Sequence, residues 1–197
     1  RTEALGARVV LHGETLSDAQ SFAATLAQEE GLAFVHPYDD PLIVAGQGTA
    51  ALEFLEAVPD LDVLVVPIGG GGLMAGMAAA ARALNPRLTI LGVQCALYPS
   101  MKQALAGEPV TCGGVTLAEG IAVKAPGALT RAMIAALVDE VLLVDEPALE
   151  GAVYRLATVQ KLVAEGAGAA ALAAVLSNRD RFAGKRVGLL VSGGNID

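Results

Sequence analysis

Four consecutive glycines, Gly69, Gly70, Gly71 and Gly72, are the residues whose type and spacing point most directly to chemistry. They follow a continuous apolar run, residues 63–68, that is short enough to be a buried strand. They precede residues 73–84, which are rich in the helix-forming Ala, Leu and Met. A loop without side chains can turn its N–H groups toward an anion, and the following helix adds the positive end of its dipole. The pattern predicts a phosphate-binding turn, called the glycine loop below.

Three uses of the glycine loop are compatible with its residues. The first is a tight turn without a ligand, although turns rarely need four glycines. The second is a dinucleotide site, since residues 70–75 fit Gly-x-Gly-x-x-Ala. That site also needs an acidic residue for the ribose at the end of the next strand, where this chain has Gln94. The third is a cradle for the monophosphate of a compact cofactor such as pyridoxal phosphate. A Walker loop is excluded because no Gly-Lys-Ser/Thr follows.

Apolar runs alternate with helical patterns along the chain, which predicts an α/β fold with a mainly parallel sheet flanked by helices. Ligands of such sheets bind at the carboxyl ends of strands. Gly46 and Gly48 lie inside a predicted helix that Asp40 could cap, and interior glycines of this kind indicate close approach of another element. Residues 165–169 are expected to interrupt the helical pattern near the end of the chain. The predicted strands are residues 8–12, 33–36, 63–68, 89–94, 140–144 and 186–191. The predicted helices are residues 16–30, 41–57, 73–84, 98–106, 129–137, 147–163 and a last one that ends at residue 176.

Composition limits the class of protein. The chain has 197 residues, 54% of them hydrophobic, and a formal charge of −8, which supplies a core and argues against nucleic acid as a partner. No apolar run reaches the roughly 18 residues that cross a bilayer. Cys95 and Cys112 have neither C-x-x-C spacing nor nearby His, so we expect free core thiols in a reducing cytosol. Both ends of the sequence read as cut, which predicts a fragment of a longer polypeptide.

Five glycine-bearing segments occur in a characteristic order along the chain. They are Ala-Gly-Gln-Gly-Thr (45–49), Val-Pro-Ile-Gly-Gly-Gly-Gly-Leu (66–73), Glu-Gly-Ile-Ala-Val (119–123), Glu-Gly-Ala-Gly-Ala (165–169) and Ser-Gly-Gly-Asn (192–195). Together they resemble the threonine dehydratase and serine racemase family, the fold-type II pyridoxal-phosphate enzymes. The resemblance implies the tryptophan synthase β-like fold, incomplete at the amino end. It also implies that residues 1–44 are the remainder of a small domain and residues 45–197 a large cofactor-binding domain.

The resemblance also implies roles for individual residues. The glycine loop and the Leu73 amide would hold the cofactor phosphate, Gly120 would line the cofactor ring through its backbone, and Glu165 would lie near the ring. Ser192 would hydrogen-bond the pyridine nitrogen. A neutral hydroxyl leaves that nitrogen largely unprotonated, and the resulting modest electron sink suits loss of water from Cβ of threonine or serine. From the residues alone, Ser192 is equally compatible with a turn-forming serine and Glu165 with a helix-end carboxylate.

The chain departs from the family pattern at the catalytic position. The family's Schiff-base lysine lies in an amino-terminal Ser-Phe-Lys-type motif that this sequence lacks, as it lacks the Ser-Gly-Asn-His-type segment beside the ring. We therefore predict no catalytic residue in this chain. Serine racemases of the family bind a divalent metal through an acidic residue where this chain has Gln94 and later Ser100, so no metal is predicted. The four lysines are expected to be solvated surface residues: Lys102, Lys124, Lys161 and Lys185.

The activity implied by the resemblance is pyridoxal-phosphate-dependent dehydration and deamination of L-threonine, or L-serine, to a 2-oxo acid and ammonia. The segment His-Pro-Tyr-Asp-Asp-Pro, residues 36–41, favours the threonine enzymes. The implied setting is a cytoplasmic homo-oligomer in amino-acid metabolism, including isoleucine biosynthesis. Three alternatives remain open: a serine racemase, a non-catalytic fragment that binds a phosphorylated ligand, and a nucleotide-binding dehydrogenase.

Overall fold

A computed structural model describes residues 2–196, and the chain divides after His36 into two compact units. The predicted domains 1–44 and 45–197 follow from the family resemblance and stay a prediction; their outermost residues, 1 and 197, lie outside the described range. Within residues 2–196, no helix combines the length and the apolar character needed to cross a bilayer.

In its described residues, 2–36, the first unit contains one α-helix, α1 (Leu16–Glu30), as predicted. The helix begins with a reciprocal cap, in which the Asp18 N–H donates to the Thr15 hydroxyl at 3.2 Å and the Asp18 carboxylate accepts the Thr15 N–H at 2.9 Å. The strands predicted at residues 8–12 and 33–36 were wrong, since neither segment is a strand. Within the described residues of this unit there is no ladder for their backbone groups, and β-forming side chains alone do not make a strand.

The second unit is a four-stranded parallel sheet between two layers of helices, which confirms the predicted fold class. The strand order is β3-β2-β1-β4, so β1 lies inside the sheet with β2 on one side and β4 on the other. The elements are α2 (Pro41–Ala57), β1 (Val63–Pro67), α3 (Gly72–Leu84), β2 (Thr89–Cys95), α4 (Ser100–Ala106), α5 (Ala128–Leu137), β3 (Glu140–Val144), α6 (Glu146–Arg155), α7 (Gly166–Ser177), α8 (Arg179–Phe182) and β4 (Val187–Leu189).

Alternate side chains of β1 enter two different cores. Val63 and Val65 belong to the core formed with α6 and α7. Leu64 and Val66 belong to the core formed with α2, α3 and α5. Because both faces of the strand are covered, β1 is apolar throughout, as is usual in parallel sheets. This central position holds the glycine loop, which follows β1, between the two layers.

The predicted close approach of another element to α2 is confirmed at Gly48. A Cβ placed on Gly48 would lie 3.0 Å from the Gly76 carbonyl oxygen of α3, and one placed on Gly76 would overlap the Val44 carbonyl oxygen. Gly46 has no such neighbour within 4 Å. The predicted cap is also confirmed, because the Asp40 carboxylate accepts the Leu42 N–H at 2.8 Å.

The region between α6 and α7 differs from the prediction. The helix predicted at residues 147–163 ends earlier, since α6 passes into a π-helical turn, Leu156–Gln160, that closes at Lys161 with φ 60°. The predicted interruption between two helices is confirmed, but it lies at residues 161–165 rather than 165–169, because Gly166 is the first residue of α7. Gly166 and Gly168 are explained by packing: a Cβ on either would overlap a backbone oxygen, that of Leu117 or Gly193 respectively.

Candidate functional site

The two glycine-rich strand ends lie side by side at the carboxyl edge of the sheet. Val65 of β1 pairs with Leu189 of β4, and both strands run in the same direction. The glycine loop follows β1 and Ser192 follows β4, so the two turns leave neighbouring strands at the same edge. The Ile68 N–H donates to the Val93 carbonyl at 2.7 Å, which extends the sheet pairing to the beginning of the loop.

The glycine loop directs backbone N–H groups away from α3. Gly71 is the N-cap residue of that helix, with φ 102°, and its carbonyl accepts the Ala75 N–H at 2.8 Å. In a trans peptide the N–H is opposite the C=O, so the Gly72 N–H points past the amino end of the helix. Gly72 and Leu73 are the first two helical residues, which have no intrahelical acceptor for their N–H groups. This arrangement and the helix dipole suit an anion.

Packing gives a second reason for glycine at these positions. A Cβ placed on Gly70 would overlap the Tyr38 ring, and one on Gly72 would lie 2.9 Å from the Tyr38 carbonyl oxygen. A Cβ on Gly71 would lie 2.8 Å from Thr130. The absence of side chains in the loop is therefore explained without a ligand, and the case for an anion site depends on the direction of the N–H groups.

The segment that contains Gly120 packs against the start of the glycine loop. A Cβ placed on Gly69 would lie 3.2 Å from Ile121 Cα and 3.3 Å from the Gly120 carbonyl oxygen. Ser100 also holds this segment, since its hydroxyl donates to the Val123 carbonyl at 2.6 Å. The structure thus brings Gly120 and Gly69, two residues singled out from the sequence, to the same place.

The carboxylate of Glu165 lies between Gly120 and Gly193. Its Oε1 atom would be 3.2 Å from a Cβ on Gly120 and would overlap a Cβ on Gly193. The Glu165 N–H also donates to the Gly193 carbonyl at 3.1 Å. Glu165 is the N-cap residue of α7, but its side chain makes no capping hydrogen bond. Its position therefore does not match an ordinary helix-end carboxylate. Ser192, next to Gly193, is exposed.

A cavity of about 500 Å³ opens beside this cluster. Gly120 and Glu165 line it together with three further carboxylates, Glu119, Glu146 and Glu150. The Glu146 carboxylate accepts the Thr116 hydroxyl at 2.7 Å and the Leu117 N–H at 2.8 Å, so one of these acids is used to hold the wall. A lining of carboxylates favours cationic groups over anions. A phosphate is accordingly better suited to the glycine loop than to this cavity.

Gln94 bears on the dinucleotide-site alternative. Gln94 is fully buried; its amide donates to the Ser100 hydroxyl at 3.4 Å and accepts the Lys102 N–H at 3.0 Å, so it is not directed at a ribose.

Cys95 is buried as predicted, whereas Cys112 is only half-buried, and both are free thiols. Burial raises the pKa of the Cys112 thiol, with a smaller contribution from Cys95.

All four lysines are exposed, as predicted, including Lys161, whose Nζ donates to the Thr158 carbonyl at 2.7 Å. Among residues 2–196, no group of three or more His, Cys, Asp and Glu side chains could hold a metal ion.

Sequence reasoning missed the residues that hold the glycine loop in place. The Thr130 hydroxyl donates to the Gly70 carbonyl at 2.7 Å. The Asp39 carboxylate accepts the N–H groups of Ala128, at 2.9 Å, and Thr130, at 3.1 Å. The Tyr38 hydroxyl donates to the Ala125 carbonyl at 2.9 Å. No local pattern could have found these contacts, because they join segments that are far apart in the chain.

The chain is similar to a known protein family, to characterised relatives and to solved structures. A family model described as pyridoxal-phosphate dependent enzyme matches residues 1–193. The chain is 45% identical to L-threonine ammonia-lyase of Thermotoga maritima and 48% identical to that of Geobacter sulfurreducens, in each case over its whole length and 49% of the relative. A crystal structure of T.th. threonine deaminase matches with a TM-score of 0.92 and 40% identity over 99% of this chain and 65% of that one. The structure of maize serine racemase matches with a TM-score of 0.92 and 33% identity over 99% of this chain and 62% of that one.

Proposed function

Because this chain belongs to the pyridoxal-phosphate dependent enzymes, we propose that the full-length protein is an ammonia-lyase that converts L-threonine to 2-oxobutanoate and ammonia, with L-serine as a second substrate. The chain spans about half the length of the curated relatives it matches, so the activity belongs to the longer protein. The observation that carries the proposal is the glycine loop, whose N–H groups face outward from the amino end of α3 at the carboxyl edge of the sheet.

The residues of this chain would hold the cofactor at three points. The N–H groups of Gly69, Gly70, Gly71, Gly72 and Leu73 would bind its phosphate, helped by the dipole of α3. The Ser192 hydroxyl would donate to the pyridine nitrogen from the neighbouring strand end. Gly120 and Glu165 would border the ring.

The contribution of the cofactor is electronic. When bound, pyridoxal phosphate supplies the conjugated ring that makes the Cα proton of an amino acid removable. This chain would position that ring, and the neutral Ser192 hydroxyl would leave the pyridine nitrogen largely unprotonated. The four lysines of this chain are all exposed. We therefore propose that the group that removes the proton lies in the part of the full-length protein that this chain does not include.

The test is an assay of the full-length protein with L-threonine, measuring 2-oxobutanoate. We expect turnover that depends on added pyridoxal phosphate and falls strongly in Ser192→Ala, while Thr25→Val, an exposed helix threonine, serves as the control. The proposal would be refuted by cofactor-loaded protein that forms no 2-oxo acid from threonine or serine.

A serine racemase is the second candidate, because the maize enzyme matches with the same TM-score as threonine deaminase. The higher identity to threonine deaminase, 40% against 33%, favours the lyase. Incubation with L-serine separates the two, since a racemase accumulates D-serine and a lyase accumulates pyruvate. Homo-oligomerisation, a cytoplasmic location and a role in isoleucine biosynthesis stay predictions.

A further inference from the structure

We propose that Thr130 is a positioning residue for phosphate binding: its hydroxyl fixes the direction of the Gly71 N–H, and Asp39 holds Thr130 in place. This inference rests on the proposed function, because it assigns the phosphate monoester of the cofactor to the glycine loop. It concerns two residues outside the glycine-bearing segments.

The contact between Thr130 and the loop is short and shielded from water. Thr130 is fully buried in the first turn of α5, and its hydroxyl donates to the Gly70 carbonyl at 2.7 Å. The Gly127 N–H donates to the same oxygen at 3.2 Å. The carbonyl of Gly70 is therefore held by two donors from one segment.

Fixing this carbonyl also fixes the next N–H. The Gly70–Gly71 peptide is planar and trans, so its N–H points opposite to its C=O, away from α5. A peptide between two glycines rotates more easily than any other, because neither residue has a Cβ to restrict it. Without the Thr130 hydroxyl, one longer hydrogen bond from Gly127 remains to prevent that rotation. A rotated peptide would present an oxygen, rather than an N–H, to the phosphate.

Asp39 holds the donor segment itself. Its carboxylate accepts the N–H groups of Ala128 and Thr130 at the amino end of α5, where a negative charge is favourable. The packing there is close, since a Cβ placed on Gly127 would overlap Asp39 Oδ1. The preceding residue, Tyr38, packs on Gly70 and Gly72. The loop thus contacts both Tyr38 and the start of α5.

The experiment compares two ligands in the full-length protein: pyridoxal 5'-phosphate, and pyridoxal, which lacks the phosphate. Thr130→Val keeps the shape of the side chain and removes the hydroxyl, whereas Thr130→Ser keeps the hydroxyl. We expect Thr130→Val to raise the Kd for pyridoxal phosphate about tenfold, the equivalent of one hydrogen bond, and to leave the Kd for pyridoxal unchanged. Thr130→Ser should restore most of the affinity. Thr25→Val, which removes an exposed helical hydroxyl from α1, is the matched control.

A second variant covers the case in which Thr130→Val does not fold. Asp39→Asn keeps the side-chain shape and removes one of the two carboxylate acceptors, so it should weaken pyridoxal phosphate more than pyridoxal, by a smaller factor. Thermal stabilisation by inorganic phosphate, measured on the same proteins, should decrease in the same order.

The outcomes separate this inference from the proposed function. Equal weakening of both ligands in both variants would mean a merely structural role for Thr130 and would overturn the inference. An unchanged Kd for pyridoxal phosphate in the folded variants would overturn it as well. If the unsubstituted protein bound pyridoxal phosphate no more tightly than pyridoxal, the phosphate assignment itself would fail.

Discussion

The crossing of α2 and α3 gives the most direct test of the packing, through Gly76→Ala. A methyl group on Gly76 would overlap the Val44 carbonyl oxygen and lie 2.7 Å from the Gly48 amide nitrogen. Both are backbone atoms of α2, so no side chain can rotate away. Relief requires the two helices to separate, which would disturb the core that α3 forms with β1.

The expected magnitude follows from two opposing effects. Alanine favours the helix by about 1 kcal/mol over glycine. Overpacking typically costs about 1–3 kcal/mol, and the upper value applies where the overlapped atoms are backbone. The net loss of unfolding free energy is then about 2 kcal/mol. For a chain of this size, that loss lowers the melting temperature by about 4–8 °C.

Gly46→Ala is the matched control, in α2 but away from the contact with α3. Gly46 lies in α2, is exposed, and a Cβ there meets nothing within 4 Å. Only the propensity effect applies, so this variant should gain about 1 kcal/mol and melt about 2–4 °C higher. Thermal melts and urea unfolding of both variants check the pair. The reasoning fails if Gly76→Ala is as stable as Gly46→Ala, since contact with backbone would then carry no cost.

Two further predictions concern titratable groups. The hydroxyl of Thr15, followed by the N–H groups of Thr15 and Glu14, lowers the pKa of Asp18 below its ordinary value. The ionised Asp18 carboxylate therefore stabilises α1 fully above about pH 4, and this stabilisation is lost as the pH falls through the lowered pKa. Amide exchange in the first turn of α1 should show the loss in the unsubstituted protein. The same pH profile in Asp18→Ala would contradict the prediction. Because burial raises the pKa of the Cys112 thiol, iodoacetamide at pH 8 should label Cys112 more slowly in the folded protein than in urea. The labelling rates are measured by peptide mass, and equal rates would contradict this prediction.

The elements that the sequence predicted well are those whose local pattern and tertiary environment agree. β1 is apolar at every position because both of its faces are covered, and α2 begins with Asp40 and Pro41, which suit the cap and first turn of a helix. Residues 8–12 have the side chains of a strand but no ladder within the described residues of their unit. The end of α6 was misplaced because a π-helical turn, Leu156–Gln160, has no signature in residue type.

The family resemblance singled out Gly120, Glu165 and the glycine loop, and the structure places Gly120 next to both Gly69 and Glu165. Their roles toward a cofactor stay a prediction, and the residues that support the loop were not predicted. Asp39 and Thr130 could not be predicted, since an Asp near a proline and a threonine in a helix have many ordinary uses. Their importance appears only when the fold brings them to the Gly70 carbonyl.

A run of glycines is therefore ambiguous evidence for an anion site. At Gly70, Gly71 and Gly72, neighbouring atoms leave no room for a Cβ, so the same sequence would be required if no ligand ever bound. What distinguishes a binding loop from a tightly packed turn is the direction of its peptides, which residue type does not encode. In this chain that direction is set by Thr130 and Gly127 at one end of the loop and by Ala75 at the other. The phosphate assignment thus depends on hydrogen bonds made by residues that are not part of the glycine motif.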